Sequence, residues 1–225
     1  MALAPPPRRR IRVGTTHRLI PSRYPATGIL DTIAAPGDLA AIIELEGWTN
    51  DRLQAELGLL PLIPQSEWVV GPSATVTMAA FCHPSHDGSR FTDQRLGAWY
   101  AAFSLPTAHA EEAYHRRREF EEVGRTPMPV QMREYRAGFD ERFHDVRPAR
   151  RFPQWHHPTD YRRSQRFAGN LRRAGSSGIV YESVRAPGTD CLVAFRPKLV
   201  LNVRQGHHFE YRWQPGAAAP TITRL

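Results

Sequence analysis

The stretch WYAAFSLPTAHAEEAYH, Trp99 to His115, changes its period halfway along. Ala98 to Ala102 reads as a short buried strand, and Ser104 with Pro106 then supplies two residues suited to a first helical turn, so a helix is expected to run on to about Glu122. A strand that feeds directly into a helix constrains where Glu111 can point: it shares a face with Ser104, Thr107, Ala108, Tyr114 and His115. A carboxylate in the second or third turn of a helix packed on a sheet is costly to bury unpaired, so it meets an arginine or does chemical work. Glu112, next door, competes for the inward position.

The flanking segments predict a mixed architecture. A strand is expected around His17–Ile20, followed by a loop to Gly37, then a helix capped by Asp38 and running to about Leu57, with Leu39, Ile42, Ile43, Leu45 and Leu53 at helical spacing. Pro61–Pro64 reads as a turn. Further strands are expected at Thr75–Phe81, within Val130–Tyr135, at Ile179–Ser183 and at Cys191–Phe195. The Arg/Pro-rich stretch Arg147–Pro158 reads as a loop, and Thr159–Ala174 as a helix. The fold class is α+β (mixed α/β), a single domain of short mixed β-sheets flanked by helices. Residues 1–12 are expected as a flexible basic arm, 13–214 as the domain and 215–225 as a loose tail.

Composition narrows the function classes. The 225 residues, 41% hydrophobic and 23% charged, suit an ordinary globular chain with a sizeable core. The longest apolar run, Leu57–Ile63, is interrupted by Gly58 and Pro61 and is far short of the roughly 20 residues a membrane helix needs. MALAPPPRRR places prolines where a secretion signal needs an apolar core, and the two cysteines, Cys82 and Cys191, make no disulfide framework, so the expected compartment is the cytoplasm. Net charge is +8, and Lys198 is the only lysine, leaving arginine 29 of the 30 basic side chains. A cationic surface favours anionic partners: nucleotides, nucleic acid or an acidic protein.

Arg18 lies in THRLIP (Thr16–Pro21) and Arg90 follows a DGS turn. Guanidinium groups on strand ends and turns can hold a pyrophosphate bidentately. Phe91 and Tyr100 are candidates to stack on a planar base, although aromatics beside a strand also serve as core. Ser183, after Tyr181 and Glu182, can donate to a ribose or phosphate oxygen or be satisfied by backbone.

Two other classes fit parts of the sequence. Arg8–Arg10, Arg147–Arg151, Arg162–Arg166 and Arg172–Arg173 would supply phosphate contacts in a nucleic-acid-binding or nuclease protein, and equally well make solvated faces. FCHPSHD, with Cys82, His83, His86 and Asp87, would edge a metal site if His156 and His157 or His207 and His208 reached it.

Taken in order, HRLIPSRYP, GSRF followed by GAWYAA, the AEEAYH helix, DYRRSQRFAGNLRRAGSSGIVYESVR and CLVAFRP resemble RES-domain proteins, the toxin halves of RES–Xre toxin–antitoxin pairs. The resemblance implies an ADP-ribosyltransferase-like fold that uses NAD as substrate without a metal. Nicotinamide would be released by hydrolysis or phosphorolysis, or ADP-ribose passed to a protein acceptor. It also implies an Xre-like antitoxin as partner, no membrane, and nucleic acid reached only through the antitoxin. By position, Arg18 matches the first family arginine, Arg90 the arginine of the Gly-x-Arg turn, Tyr100 the strand tyrosine, and Glu111 the glutamate eleven positions after it. Ser183 matches the family serine, with Ser164 as second candidate. The catalytic set so implied is Glu111, Arg18 and Ser183, and the NAD-binding set Arg18, Arg90, Phe91, Tyr100 and Ser164. Three positions depart from the family pattern: Glu182 stands for the usual proline, Arg162 for a small hydroxyl residue, and His17 for an aromatic.

Overall fold

The computed structural model describes residues 6–24, 26, 28–33, 35–46, 59–124, 128–214 and 216–225. Seven strands form one mixed sheet: β1 (Arg8–Pro21), β2 (Trp99–Ala102), β3 (Val130–Asp145), β4 (Gly178–Glu182), β5 (Asp190–Ala194), β6 (Leu201–Arg212) and β7 (Thr221–Arg224). Four helices accompany it among the described residues: α1 (Pro36–Glu46), α2 (Ala74–Cys82), α3 (Leu105–Glu122) and α4 (Arg162–Arg173). The strand order is β1-β2-β5-β4-β3-β6-β7, and β1 also pairs with β3, so the first five strands close on themselves while β6 and β7 extend outward from β3. Among the described strands only β3–β4 is parallel; the other pairings are antiparallel.

The sheet is carried by long strands rather than the short ones expected. β1 has 14 residues and β3 has 16, and they pair from Arg8↔His144 to Pro21↔Met132. The basic run at Arg8–Arg12, expected as a flexible arm, is therefore the first half of β1. Its partner lies more than a hundred residues away, and the charges simply occupy the strand's exposed side chains. The tail expected to be loose carries β7, whose partner is β6 from Phe209↔Arg224 to Arg212↔Thr221. β6 itself was not anticipated: in LNVRQGHHFEYR polar residues fall at most positions, because much of the strand is solvent-facing.

A second correction concerns Thr75–Phe81, which is helix α2 and not a strand. A short apolar run rich in β-branched residues suits a buried strand or a buried helix equally. Here Ala74, Val76, Thr77, Met78, Ala80, Phe81 and Cys82 are all buried, so the segment is apolar nearly all round and has no period to betray it. Asp38 lies within the first turn of α1, not ahead of it, and accepts the Ala35 amide at 3.1 Å in the manner of a capping box. Leu39 is fully buried; the expected continuation to Leu57, with Leu53, falls outside the described residues beyond Glu46. Arg147–Pro158 contains two short 3-10 turns, Ala149–Arg151 and Pro153–Trp155.

The core is built on large side chains with almost no exposure, among them Trp99, Phe81, Phe139, Phe143 and Tyr135. Gly178 opens β4 with φ 146°, and a β-carbon there would sit 2.0 Å from the Val193 carbonyl oxygen. Only glycine lets β4 lie this close to β5, which brings the residues after β4 to the helix that carries Glu111.

Candidate functional site

The helix α3 begins as its sequence dictates. Ser104 has extended backbone, its Oγ accepts the Thr107 amide at 3.3 Å, and Pro106 stands in the first turn where its missing N–H costs nothing. Thr107 and Ala108 pack inward, so α3 lies against the sheet and Glu111 faces the segment that follows β4.

There Glu111 meets Ser183. The Ser183 hydroxyl donates to Glu111 Oε1 at 2.6 Å. Its oxygen also accepts two amides, Arg185 at 3.1 Å and Ala186 at 2.9 Å. A hydroxyl has one proton and two lone pairs. With both lone pairs engaged by a turn of its own backbone, the only proton of Ser183 is aimed at Glu111. Ser183 is 2% exposed and its amide bonds the Thr189 carbonyl, so the donor is held rigidly. The second oxygen of Glu111 carries no hydrogen bond among the described residues.

Glu112 turns elsewhere. It ion-pairs with Arg116 at 2.8 Å, one helical turn on, and burial pushes its carboxyl upward against the pull of Arg116 and Arg18. Of the two neighbouring glutamates, Glu111 is therefore the one at the serine. Ser164, the second candidate serine, is 1% exposed in the first turn of α4 and donates to the Tyr161 carbonyl at 3.0 Å, so it is not part of this contact.

Among the described residues neither of the two arginines singled out by sequence hydrogen-bonds to Glu111 or Ser183. Arg90 is 5% exposed; its Nη1 donates to the carbonyls of His157 at 2.8 Å and Trp155 at 3.3 Å, and its guanidinium lies 4.7 Å from the Tyr161 ring centre. Arg18 donates to the Tyr100 carbonyl at 3.2 Å and stacks over Trp99, while its buried Nε–H has no partner. Burial lowers the Arg18 pKa, with Glu112 opposing. Tyr100 staples the GSRF turn to β2. Its hydroxyl accepts the Phe91 amide at 2.9 Å and touches Thr92 Oγ1 at 3.2 Å, and burial raises its pKa to about 12. Phe91, 2% exposed, meets Tyr181 edge-on at 5.0 Å and forms the inner backing of the site.

Tyr114 and His115, which the sequence put on the face of Glu111 without a role, and Tyr161 and Arg185, which it passed over, complete the surroundings. Arg185 stacks on Tyr114, 3.3 Å from its ring centre, and its Nη2 donates to the Tyr161 hydroxyl at 3.2 Å and to the Pro158 carbonyl. The signal available was position alone, two residues past Ser183 in a chain with many arginines. Burial first, then Arg116, Arg185, Arg118 and Arg90, hold His115 down at about 4, so its imidazole is neutral at physiological pH. Burial drives Tyr181 and Cys191 well above their ordinary values; the negative field of Glu111 adds to this and the positive field of Arg90 opposes it. The arrangement is a carboxylate oriented by a buried hydroxyl in surroundings rich in positive charge, suited to facing a cation on an otherwise anionic molecule.

The other expected groupings do not assemble. Cys82 is buried at the end of α2, His86 is exposed beside Asp87, and no cluster of three or more His, Cys, Asp or Glu able to hold a metal occurs among the described residues. Several cations of the basic runs are already engaged. Arg147 is paired with Asp145 and Asp190, Arg162 with Asp160, and Arg172 with the carbonyls of Leu96 and Gly97. A cavity of about 220 Å³ lined by Ile63, Phe81, Leu96, Arg172 and Phe195 reaches neither Glu111 nor Ser183.

Comparison with known proteins adds three findings. The uncharacterized protein y4oC of Sinorhizobium fredii is 26% identical over 204 residues, covering 88% of this chain and 82% of that protein. A chain in the crystal structure of the M. tuberculosis MbcT-MbcA toxin-antitoxin complex is 10% identical and superposes with a TM-score of 0.48, covering 89% of this chain and 86% of that one. The profile of the RES domain matches residues 62–214, a span holding Arg90, Tyr100, Glu111 and Ser183 and more than half of the sequence, so the chain belongs to the RES domain family.

Proposed function

We propose that this protein is an NAD-consuming toxin of a toxin–antitoxin pair, cleaving the bond between nicotinamide and ribose. The observation that carries the reading is the 2.6 Å hydrogen bond from Ser183 to Glu111. Family membership supports the substrate class and the pairing with an Xre-like antitoxin.

In the proposed reaction the C1′–N bond of NAD breaks, and nicotinamide leaves as a neutral molecule with the bonding pair. Positive charge develops on the ribose, and Glu111 stabilises it and holds a ribose hydroxyl, as carboxylates do in glycoside cleavage. Ser183 keeps the carboxylate in the orientation that presents its other oxygen to the sugar. Arg18 and Arg90 supply positive potential for the pyrophosphate, with Tyr100 and Phe91 backing the nicotinamide end and Ser164 bracing the start of α4. Water, phosphate or a protein side chain then adds at C1′, losing its proton as the new bond forms.

The test is to incubate purified protein with NAD, with and without phosphate and cell lysate, and to follow nicotinamide by chromatography beside Glu111→Gln. Release by the wild type that falls at least about a thousandfold in the variant is expected. Equal release by the variant would sink the assignment. The co-product, whether ADP-ribose, its phosphate ester or a labelled protein, names the acceptor.

A further inference from the structure

We propose that Arg185 is the anion clamp beside the Glu111–Ser183 pair: its guanidinium, resting on Tyr114 and Tyr161 in the structure, takes the pyrophosphate of the dinucleotide when substrate binds. The proposal rests on the NAD-cleaving reading and adds to it the residue that selects the anionic half of the substrate.

Three observations carry it. The other arginines at the site are engaged more deeply. Arg90 is buried against two main-chain carbonyls and would have to break interior contacts to grip an anion, and Arg18 lies against the Trp99 ring where burial disfavours its charge. Arg185 has only neutral partners among the described residues: a phenol hydroxyl at 3.2 Å, the Pro158 carbonyl and the Tyr114 ring. With no carboxylate neutralising it, its charge remains available to a phosphate, which accepts charge-assisted hydrogen bonds more strongly than a neutral oxygen does.

Its Nε–H is also buried with no hydrogen-bond partner. An unpaired donor is costly, and a phosphate bound side-on would satisfy Nε while replacing one of the two neutral acceptors on Nη2, in the fork geometry that arginine favours. Finally, the residue is tied to the reacting end. The Arg185 amide donates to Ser183 Oγ at 3.1 Å, and that oxygen's own proton goes to Glu111. A clamp at Arg185 therefore sets how far the pyrophosphate lies from the carboxylate that faces the ribose. His115, neutral at physiological pH, places no competing cation there.

The experiment compares wild type, Arg185→Ala and Arg185→Lys on three probes: NAD, nicotinamide riboside, which has the same scissile bond and no phosphate, and ADP, which has the pyrophosphate and no scissile bond. For Arg185→Ala the KM for NAD is expected to rise about tenfold or more with kcat within about threefold, because one charge-assisted bidentate contact is lost. ADP affinity should fall in parallel by calorimetry, nicotinamide riboside turnover should stay unchanged, and Arg185→Lys should recover only part of the loss. Equal losses on NAD and nicotinamide riboside, or ADP binding as tight in Arg185→Ala as in wild type, overturn the clamp and leave the cleavage reading standing. A wild type that releases no nicotinamide from either substrate, yet binds ADP in an Arg185-dependent way, overturns the cleavage reading and supports the clamp. A wild type that does not bind ADP overturns the clamp outright.

Discussion

Two glutamates, one on α3 and one on β3, are each held by hydrogen bonds and differ in how completely. Glu134 is fully buried and accepts four: Arg136 Nε at 2.9 Å and Nη2 at 3.1 Å, the His207 amide at 3.0 Å, and the His17 ring through Nδ1 at 2.7 Å. A register shift in β6 between His208 and Gln205 turns the His207 amide inward, and Gly206 packs so close that a β-carbon there would lie 2.1 Å from Glu134 Oε2. Among the described residues Glu111 accepts a single hydrogen bond, from Ser183, on one oxygen. A carboxylate whose lone pairs are all occupied ties β1, β3 and β6 together and has nothing left to offer a ligand. One that is oriented but not saturated can face a developing cation. Saturation, more than burial, separates the structural glutamate from the candidate catalytic one.

Exchanging the two roles by mutation is the most direct way to break this contrast. Glu111→Gln should lose nearly all NAD turnover with little change in melting temperature, whereas Glu134→Gln should cost about 2 kcal/mol of stability because a fully buried group that accepts four hydrogen bonds loses its charge and Arg136 loses its ion-pair partner. Urea unfolding of both variants beside the turnover assay checks the pair, and a Glu134→Gln protein as stable as wild type would overturn the structural half of the comparison.

The same clamp predicts an acid response. Burial pushes Glu134 upward, but the hydrogen bonds from Arg136, the His207 amide and His17 more than offset it and hold the carboxyl at about 2. A folded value below the unfolded one means stability that is fully present above about pH 4.5 and lost as pH falls toward 2, roughly 3 kcal/mol in all. Chemical denaturation at a series of pH values should show that loss in wild type and a much flatter curve in Glu134→Gln. Gly206→Ala tests the packing behind it. The added methyl must displace the carboxylate, at about 2 kcal/mol, measured as a lower urea midpoint. Activity per folded molecule should be unchanged.

On the other side of the comparison, Ser183→Ala removes the hydrogen bond that orients Glu111 among the described residues. A fall of about tenfold in kcat is expected, with KM for NAD nearly constant, and an unchanged kcat would mean that α3 alone orients the carboxylate. The smallest effect concerns Glu182, where this chain departs from the family's proline. Its carboxylate accepts the amides of Ala149 at 2.7 Å and Gly188 at 2.8 Å, holding together the two loops beside Ser183. Glu182→Gln should lose about 0.5 kcal/mol and slightly speed amide hydrogen exchange at Gly188.

Some of this was legible before the structure. Ser104 and Pro106 announce the start of α3 because capping is a local event, and β4 and β5 show as short apolar runs because both their faces are buried. Glu111 followed from the resemblance, and Ser183 with it. Arg185, Tyr161 and the Glu134 clamp were not legible, since each depends on partners brought from distant segments, and His17 stood only as an unexplained departure until Glu134 appeared opposite it.

By itself the sequence determined what is local or compositional: a cationic, arginine-based globular chain, the cap and first turn of α3, and the motif order of the RES family. Only the tertiary structure decided that Arg8–Arg12 and Thr221–Arg224 are strands, that the apolar run at Ala74–Cys82 is a helix, and which of two adjacent glutamates meets the serine. The physical reason is range. Caps and tight turns are stabilised by groups within a few residues, whereas strand pairing and the environment of a buried charge are set by partners that the chain brings together only when it folds.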